Sequence, residues 1–164
     1  LDIRRDWIDV ADIIRGAVNR SRKLMPARKI ELTLADGLPL IRGDATLLEQ
    51  VMFNLIDNAD KYSPEASVTA ISAAVQNSGV TIRVSDDGGG IPPNSLERIF
   101  DKFYRVGGSD GRKPGTGLGL AIAAGVIRAM GGDISARSPI KDGRGTEISI
   151  MLPASVEKLP ASTT

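Results

Sequence analysis

The sequence predicts an α+β two-layer sandwich: one mixed sheet of about five strands packed on three helices, with the helices on one face. Three observations carry this prediction. Segments that alternate in the strand manner are interleaved with segments of helical periodicity, and no internal repeat is present. Two pairs of strand-like segments sit next to each other across short turns, as hairpins do, whereas an all-parallel sheet needs a crossover at every step. The length, 164 residues, suits one domain with a sizeable core.

Trp7 to Leu24 reads as the first helix, with Ile8, Ala11, Ile14, Val18 and Ser21 or Arg22 at helical spacing and Pro26 ending it. Lys29 to Leu34 alternates as a strand, followed by a turn at Asp36-Gly37, and Leu40 to Arg42 is a second, shorter extended piece. Asp44 is placed to cap a long helix that Pro64 closes. Ser67 to Gln76 and Val80 to Ser85 form a hairpin around Asn77-Ser78-Gly79. Asp86 to Pro93, DDGGGIPP, follows directly, and a short helical signal spans Ser95 to Phe103. Val106 to Gly117 is rich in Gly, Ser, Asp and Pro without apolar periodicity and reads as a loop. Gly117 to Met130 reads as an apolar helix stopped by Gly131-Gly132. Asp133 to Ser138 and Thr146 to Leu152 are closing strands around Asp142-Gly143, and residues 154–164 read as a disordered tail behind a domain over residues 1–153.

Composition removes whole classes of chemistry. Charged residues make up 25% and nearly cancel at a net charge of +1, which argues against a nucleic-acid surface built on bulk charge. Without cysteine there are no disulfides, thiolate metal sites or thiol nucleophiles, and without histidine there is no Ser-His-Asp triad, imidazole-bound zinc or imidazole base. No apolar run reaches bilayer-spanning length, and LDIRRDWIDV is not a signal peptide. A first residue of Leu is what a piece of a longer protein would show.

The long helix carries two stripes. Leu48, Val51, Met52, Leu55 and Ala59 form an apolar one, and Asn54, Asn58 and Lys61 form a polar one beside it. Asparagine oxygens suit Mg²⁺ and an ammonium suits phosphate oxygens, although a plain amphipathic helix with a solvated flank gives the same pattern. Asp57, next to Asn58, is expected to point elsewhere, because neighbours do not share a helix face. Asp86-x-Gly88-x-Gly90 ends a strand, where a carboxylate can accept from an exocyclic amine; a glycine-rich turn with an Asp cap is the alternative. Gly115-Thr116-Gly117-Leu118-Gly119-Leu120 opens a helix, where free backbone N–H groups favour anions. No Gly-Lys-Ser/Thr follows it, and no strand feeds into it, so it is neither a P-loop nor a dinucleotide fingerprint.

In this order, with Phe100-x2-Phe103 between the glycine segments, the motifs resemble the N, G1, F and G2 boxes of the catalytic ATP-binding domain of sensor histidine kinases, in the Bergerat-fold ATPase superfamily. The resemblance runs from Trp7 to Pro153. It implies ATP and Mg²⁺ as ligands, with Asn58 on the metal and Asn54 its partner one turn earlier. Lys61 would contact phosphate, Tyr62 pack on adenine, and Asp86 read the adenine amino group beside Gly88, Gly90 and Ile91. Thr146 would reach the same edge of the base through water. Phe100 and Phe103 would anchor a flexible ATP lid from about Ile91 to Thr116, and Arg105 would approach the γ-phosphate. Asn58, Lys61 and Arg105 would then be the catalytic set, with Arg112 and Lys113 as solvated lid charges.

The relatives that hydrolyse ATP (gyrase, Hsp90-type and mismatch-repair enzymes), and the anti-sigma serine kinases, place a glutamate where this chain has Asn54, which cannot accept a proton at neutral pH. The resemblance therefore implies a kinase domain that transfers phosphate to a histidine on a separate dimerisation domain, upstream of a response regulator. A Bergerat-type ATPase and a non-catalytic nucleotide- or partner-binding module are the alternatives. RRDWIDVADII and the LEQVMFNLIDNADKYSP–IFDKFYR combination are most similar to potassium-responsive, Kdp-type sensors. That similarity implies a dimeric parent in a bacterial inner membrane, with this part cytoplasmic and monomeric.

Overall fold

A computed structural model describes residues 2–104 and 119–154. Its elements in chain order are β1 (Asp6–Ile8), α1 (Val10–Leu24), β2 (Lys29–Leu34), β3 (Ile41–Gly43), α2 (Ala45–Lys61), β4 (Val68–Gln76), β5 (Gly79–Asp86), α3 (Gly119–Ala129), β6 (Asp133–Arg137) and β7 (Thr146–Leu152). A five-stranded sheet has the order β2-β4-β5-β7-β6, parallel between β2 and β4 and antiparallel elsewhere. This is the predicted mixed sheet under helices.

Period-two alternation sorts the two faces of that sheet. Ile71, Val84 and Ile148 lie side by side across β4, β5 and β7, as do Ala73, Ile82 and Ile150, and all six are buried. The other face carries the rung Ser72, Arg83, Ser149 and Ser135, and Glu147 pairs there with Arg83 and Arg137. Helices therefore cover only the apolar face. α2 lies centrally, packed on both α1 and α3, and inserts Leu48, Val51, Met52, Leu55, Ile56 and Ala59 into the core. Each large side chain buried this way stabilises the fold by roughly 1.5–3 kcal/mol. In the β4–β5 hairpin Gln76 pairs with Gly79, so the loop is Asn77-Ser78, both at positive φ as a type I′ turn requires.

Two local readings are corrected. Trp7 and Ile8 belong to β1, which pairs with β3 in a separate two-stranded sheet, and the Arg42 guanidinium covers the Trp7 ring at 5.2 Å. The helix starts after Asp9, whose carboxylate accepts from the Asp12 N–H, so Ile8 only coincides with the helical period. Residues 95–103 form successive turns instead of a helix, including Arg98 N–H to Ser95 O and Asp101 N–H to Arg98 O. That run offers only Ile99 and Phe100 to the core, too few for a helical face.

Candidate functional site

The site begins with the placing of α2. Asp44 caps it by accepting from Leu47 N–H at 3.1 Å and also takes the Arg4 N–H at 3.0 Å, which ties the N-terminal segment to the helix start. Those hydrogen bonds, Arg4 first, hold the Asp44 carboxyl below its ordinary range. With its apolar face in the core, α2 leaves Asn54, Asn58 and Lys61 half-buried along one flank. Gln50 Nε2 donates to Asn54 Oδ1 at 3.1 Å. Lys61 Nζ lies 3.0 Å from Asp57 Oδ2, so Asp57 does reach the polar stripe, through a partner one turn on.

β5 ends in Asp86, on the core-facing side of the sheet and opposite Thr146 of β7. Burial pushes the Asp86 carboxyl above its ordinary range. The N–H groups of Gly88 and Thr146 and the charge of Arg28 oppose the rise, and Asp87 adds to it. Gly88 N–H donates to Asp86 Oδ1 at 2.8 Å. A Cβ on Gly88 would stand 2.4 Å from Tyr62 O, so only glycine lets the end of α2 close on this loop. Gly90 has φ +88 and fills the left-handed position. The two glycines thus serve the protein's own backbone packing.

Ser138 is the hub of the loop. Its hydroxyl accepts from Ile91 N–H at 2.8 Å and donates to Gly145 O at 2.7 Å, with the Thr146 hydroxyl 3.3 Å away. Gly145 N–H donates to Gly88 O at 2.9 Å. The Asp86–Ile91 loop and Thr146, 55 or more residues further along the chain, thereby lie together, with Tyr62 O abutting Gly88. Of the two predicted anchors Phe100 packs on the core, whereas Phe103 is 69% exposed at φ +63 and does not join the core among the described residues. Gly119 and Leu120 open α3. Arg105, Gly115, Thr116, Gly117 and Leu118, and the loop over Val106 to Gly117, lie outside the described residues, as does the tail from residue 155.

Sequence reasoning missed Ser138, Arg28 and two hydroxyls. Among the described residues Ser63 Oγ and Thr69 Oγ1 are buried without a partner, and Thr69 lies on β4 one rung from the Ala70–Ser85 pair, on the side of Asp86. Buried polar groups of this kind are uncommon and gather where function needs them. Beside them a cleft of about 430 Å³ runs between Pro64, Ala66 and Ser67 and the Asp87, Lys141, Asp142 and Arg144 side, where Arg144 donates to Asp87 O. A serine ending a strand carries no sequence signal, but an arginine inside a short turn just before an apolar strand could have prompted a search for acceptors.

The donor set fits the implied ligands. Among the described residues no three acidic side chains gather into a metal cage. Neutral amide oxygens on a half-buried stripe suit Mg²⁺, which keeps several waters and shares phosphate oxygens. Asn58 would hold the metal and Lys61 the phosphates, while the desolvated Asp86 acceptor would read a base amine.

The profile of the family described as "Histidine kinase-, DNA gyrase B-, and HSP90-like ATPase" matches residues 43–156. The sensor protein KdpD of Clostridium acetobutylicum is 38% identical over 136 residues, 82% of this chain but 15% of that protein. The mycobacterial sensor histidine kinase MprB superposes with a TM-score of 0.81 at 30% identity, covering 90% of this chain and 97% of that one. Full-length ShkA in complex with AMPPNP superposes at 0.76 with 28% identity, over 93% of this chain and 32% of that one. The chain thus spans a small part of the KdpD it matches. It belongs to the histidine kinase-, DNA gyrase B- and HSP90-like ATPase family and has the catalytic-domain fold of the sensor histidine kinases.

Proposed function

We propose that this domain binds Mg-ATP and presents its γ-phosphate to a histidine carried on a separate dimerisation domain of a two-component sensor kinase. The observation that carries the reading is the meeting of the Asn54–Asn58–Lys61 stripe with the half-buried Asp86 acceptor, joined through Tyr62 against Gly88. Asp86 accepts from the base amine, and Lys61 exchanges its Asp57 partner for phosphate oxygens. Asn58 offers an oxygen to Mg²⁺, which neutralises charge on the phosphates. Asn54 offers no base to activate water, so transfer rests on positioning and charge neutralisation while the incoming imidazole supplies the nucleophile. The chain has no histidine and so no acceptor of its own.

On this reading the parent is a homodimeric bacterial inner-membrane sensor that passes phosphate to a response regulator, and this domain is monomeric and cytoplasmic. Among the described residues no helix is long and apolar enough to cross a membrane. Similarity to KdpD supports a Kdp-type parent, potassium-responsive by the same reading. Calorimetry of ATP and ADP with and without Mg²⁺, on this chain and on Asn58→Ala, tests the core of it. The expected outcome is Mg²⁺-dependent binding, weakened at least about tenfold by the substitution, without steady hydrolysis. A histidine-bearing hairpin added in trans should then become phosphorylated. Failure to bind either nucleotide refutes the reading, and unaided turnover replaces it with an ATPase.

A further inference from the structure

Arg28 lies in the turn between α1 and β2, and its side chain is only 3% exposed. A guanidinium taken out of water loses several kcal/mol of hydration unless its N–H groups are all met. Here they are. Nε donates to Asp60 Oδ1 at 2.6 Å. Nη1 reaches Pro64 O at 2.8 Å, Ser67 O at 2.9 Å and Ser67 Oγ at 2.8 Å. Nη2 reaches Asp60 O at 3.3 Å and Ser63 O at 3.4 Å.

Four of the six acceptors are backbone carbonyls: Asp60 O in the last turn of α2, and Ser63, Pro64 and Ser67 O in the loop leading into β4. Carbonyls at and beyond a helix end have no intrahelical donor to satisfy them fully. A cation there also complements the negative end of the helix. Lys61 and Tyr62 lie between the two bound carbonyls of Asp60 and Ser63, and Tyr62 O abuts Gly88. The same turn is therefore bonded by Arg28 and in contact with the Asp86–Gly88 loop.

We infer that Arg28 is a positioning residue for nucleotide: through six contacts to Asp60, Ser63, Pro64 and Ser67 it fixes the turn that carries Lys61 and Tyr62 against the Asp86 loop. The inference rests on the nucleotide-binding reading and adds a residue that touches no ligand itself. A planar fork is needed, because the acceptors are spread over eight residues, and a lysine ammonium with three donors cannot span them.

The test is ADP affinity by calorimetry on the whole chain, at a temperature where every variant is folded, with thermal midpoints measured separately. Arg28→Lys should weaken ADP binding about tenfold, whereas in a Lys61→Ala background the same change should weaken it less than about threefold, since one of the positioned groups is gone. Asp60→Asn keeps the carbonyl contacts and loses only the ion pair, so it serves if Arg28→Lys does not fold. It should weaken binding by a few-fold with the same coupling to Lys61. An ADP Kd within about twofold of the parent despite a lower midpoint would assign Arg28 to stability alone, and equal losses in both backgrounds would show that it does not act through Lys61; either result overturns the inference. Absence of ADP binding by the unsubstituted chain would overturn the nucleotide reading itself, and the inference with it.

Discussion

Asp44, just before α2, and Asp86, at the end of β5, both accept backbone N–H groups, yet their carboxyls are pushed in opposite directions. Asp44 takes Leu47 and Arg4, gains more from those bonds than its surroundings withhold, and titrates low. Asp86 takes Gly88, but burial outweighs the bond and it titrates high. The first satisfies its hydrogen bonds within the fold. The second stands in surroundings that disfavour its ionised form, and on the proposed reading it is kept there as an acceptor for a ligand donor.

The largest effect that would sharpen the contrast is on binding. Asp86→Asn exchanges the carboxylate for an amide, and ADP affinity should fall by tens to about a hundredfold, as loss of a hydrogen bond to a charged group predicts. The thermal midpoint should stay the same or rise, because a charge disfavoured by its half-buried surroundings has gone. A clear drop in midpoint with affinity intact would instead place Asp86 among the structural residues.

The reverse pattern belongs to Asp44. Asp44→Ala removes the cap and the Arg4 tie, so unfolding should become easier by about 1–2 kcal/mol, while ADP affinity in the folded protein changes less than about twofold. Differential scanning calorimetry alongside titration would show it. A large loss of affinity would mean that the two ends of α2 are coupled.

The smallest effect is in pH. The stability supplied by Asp44 is present above its ordinary value of 3.8 and is lost as pH falls through its lowered folded value. For Asp86 the sign is opposite. Its destabilising contribution is absent below 3.8 and grows as pH rises through the raised folded value. Over that same window acid removes the acceptor. ADP binding should therefore weaken by a few-fold as pH falls through that raised value, and Asp86→Asn should be flat. A slope that persists in Asp86→Asn would assign the titration to another group.

How much could be read in advance followed the distance over which each feature is decided. α2 was legible because its period, its Asp44 cap and the closing Pro64 all lie within one stretch. The β4–β5 hairpin was legible for the same reason, with Asn77-Ser78 at the turn. Trp7 and Ile8 misled because their strand partner, Ile41 to Gly43, is more than thirty residues on. Phe103 looked like half of an anchor pair by spacing, but the left-handed backbone at that residue turns it away from the core.

What the sequence determined by itself was the order of the three helices and of the strands from β2 onward, the polar stripe on α2, the Asp-x-Gly-x-Gly loop and the lack of any histidine or cysteine chemistry. Those properties are set by side-chain type and local period. The tertiary structure alone decided that Arg28 bonds acceptors at Asp60 and Ser67, 32 and 39 residues away, and that Ser138 joins Ile91 to Gly145. It also decided that the glycine at 88 is required by the carbonyl of Tyr62. A buried donor or a close backbone approach is specified by whatever chain segment meets it, and only folding brings that segment there.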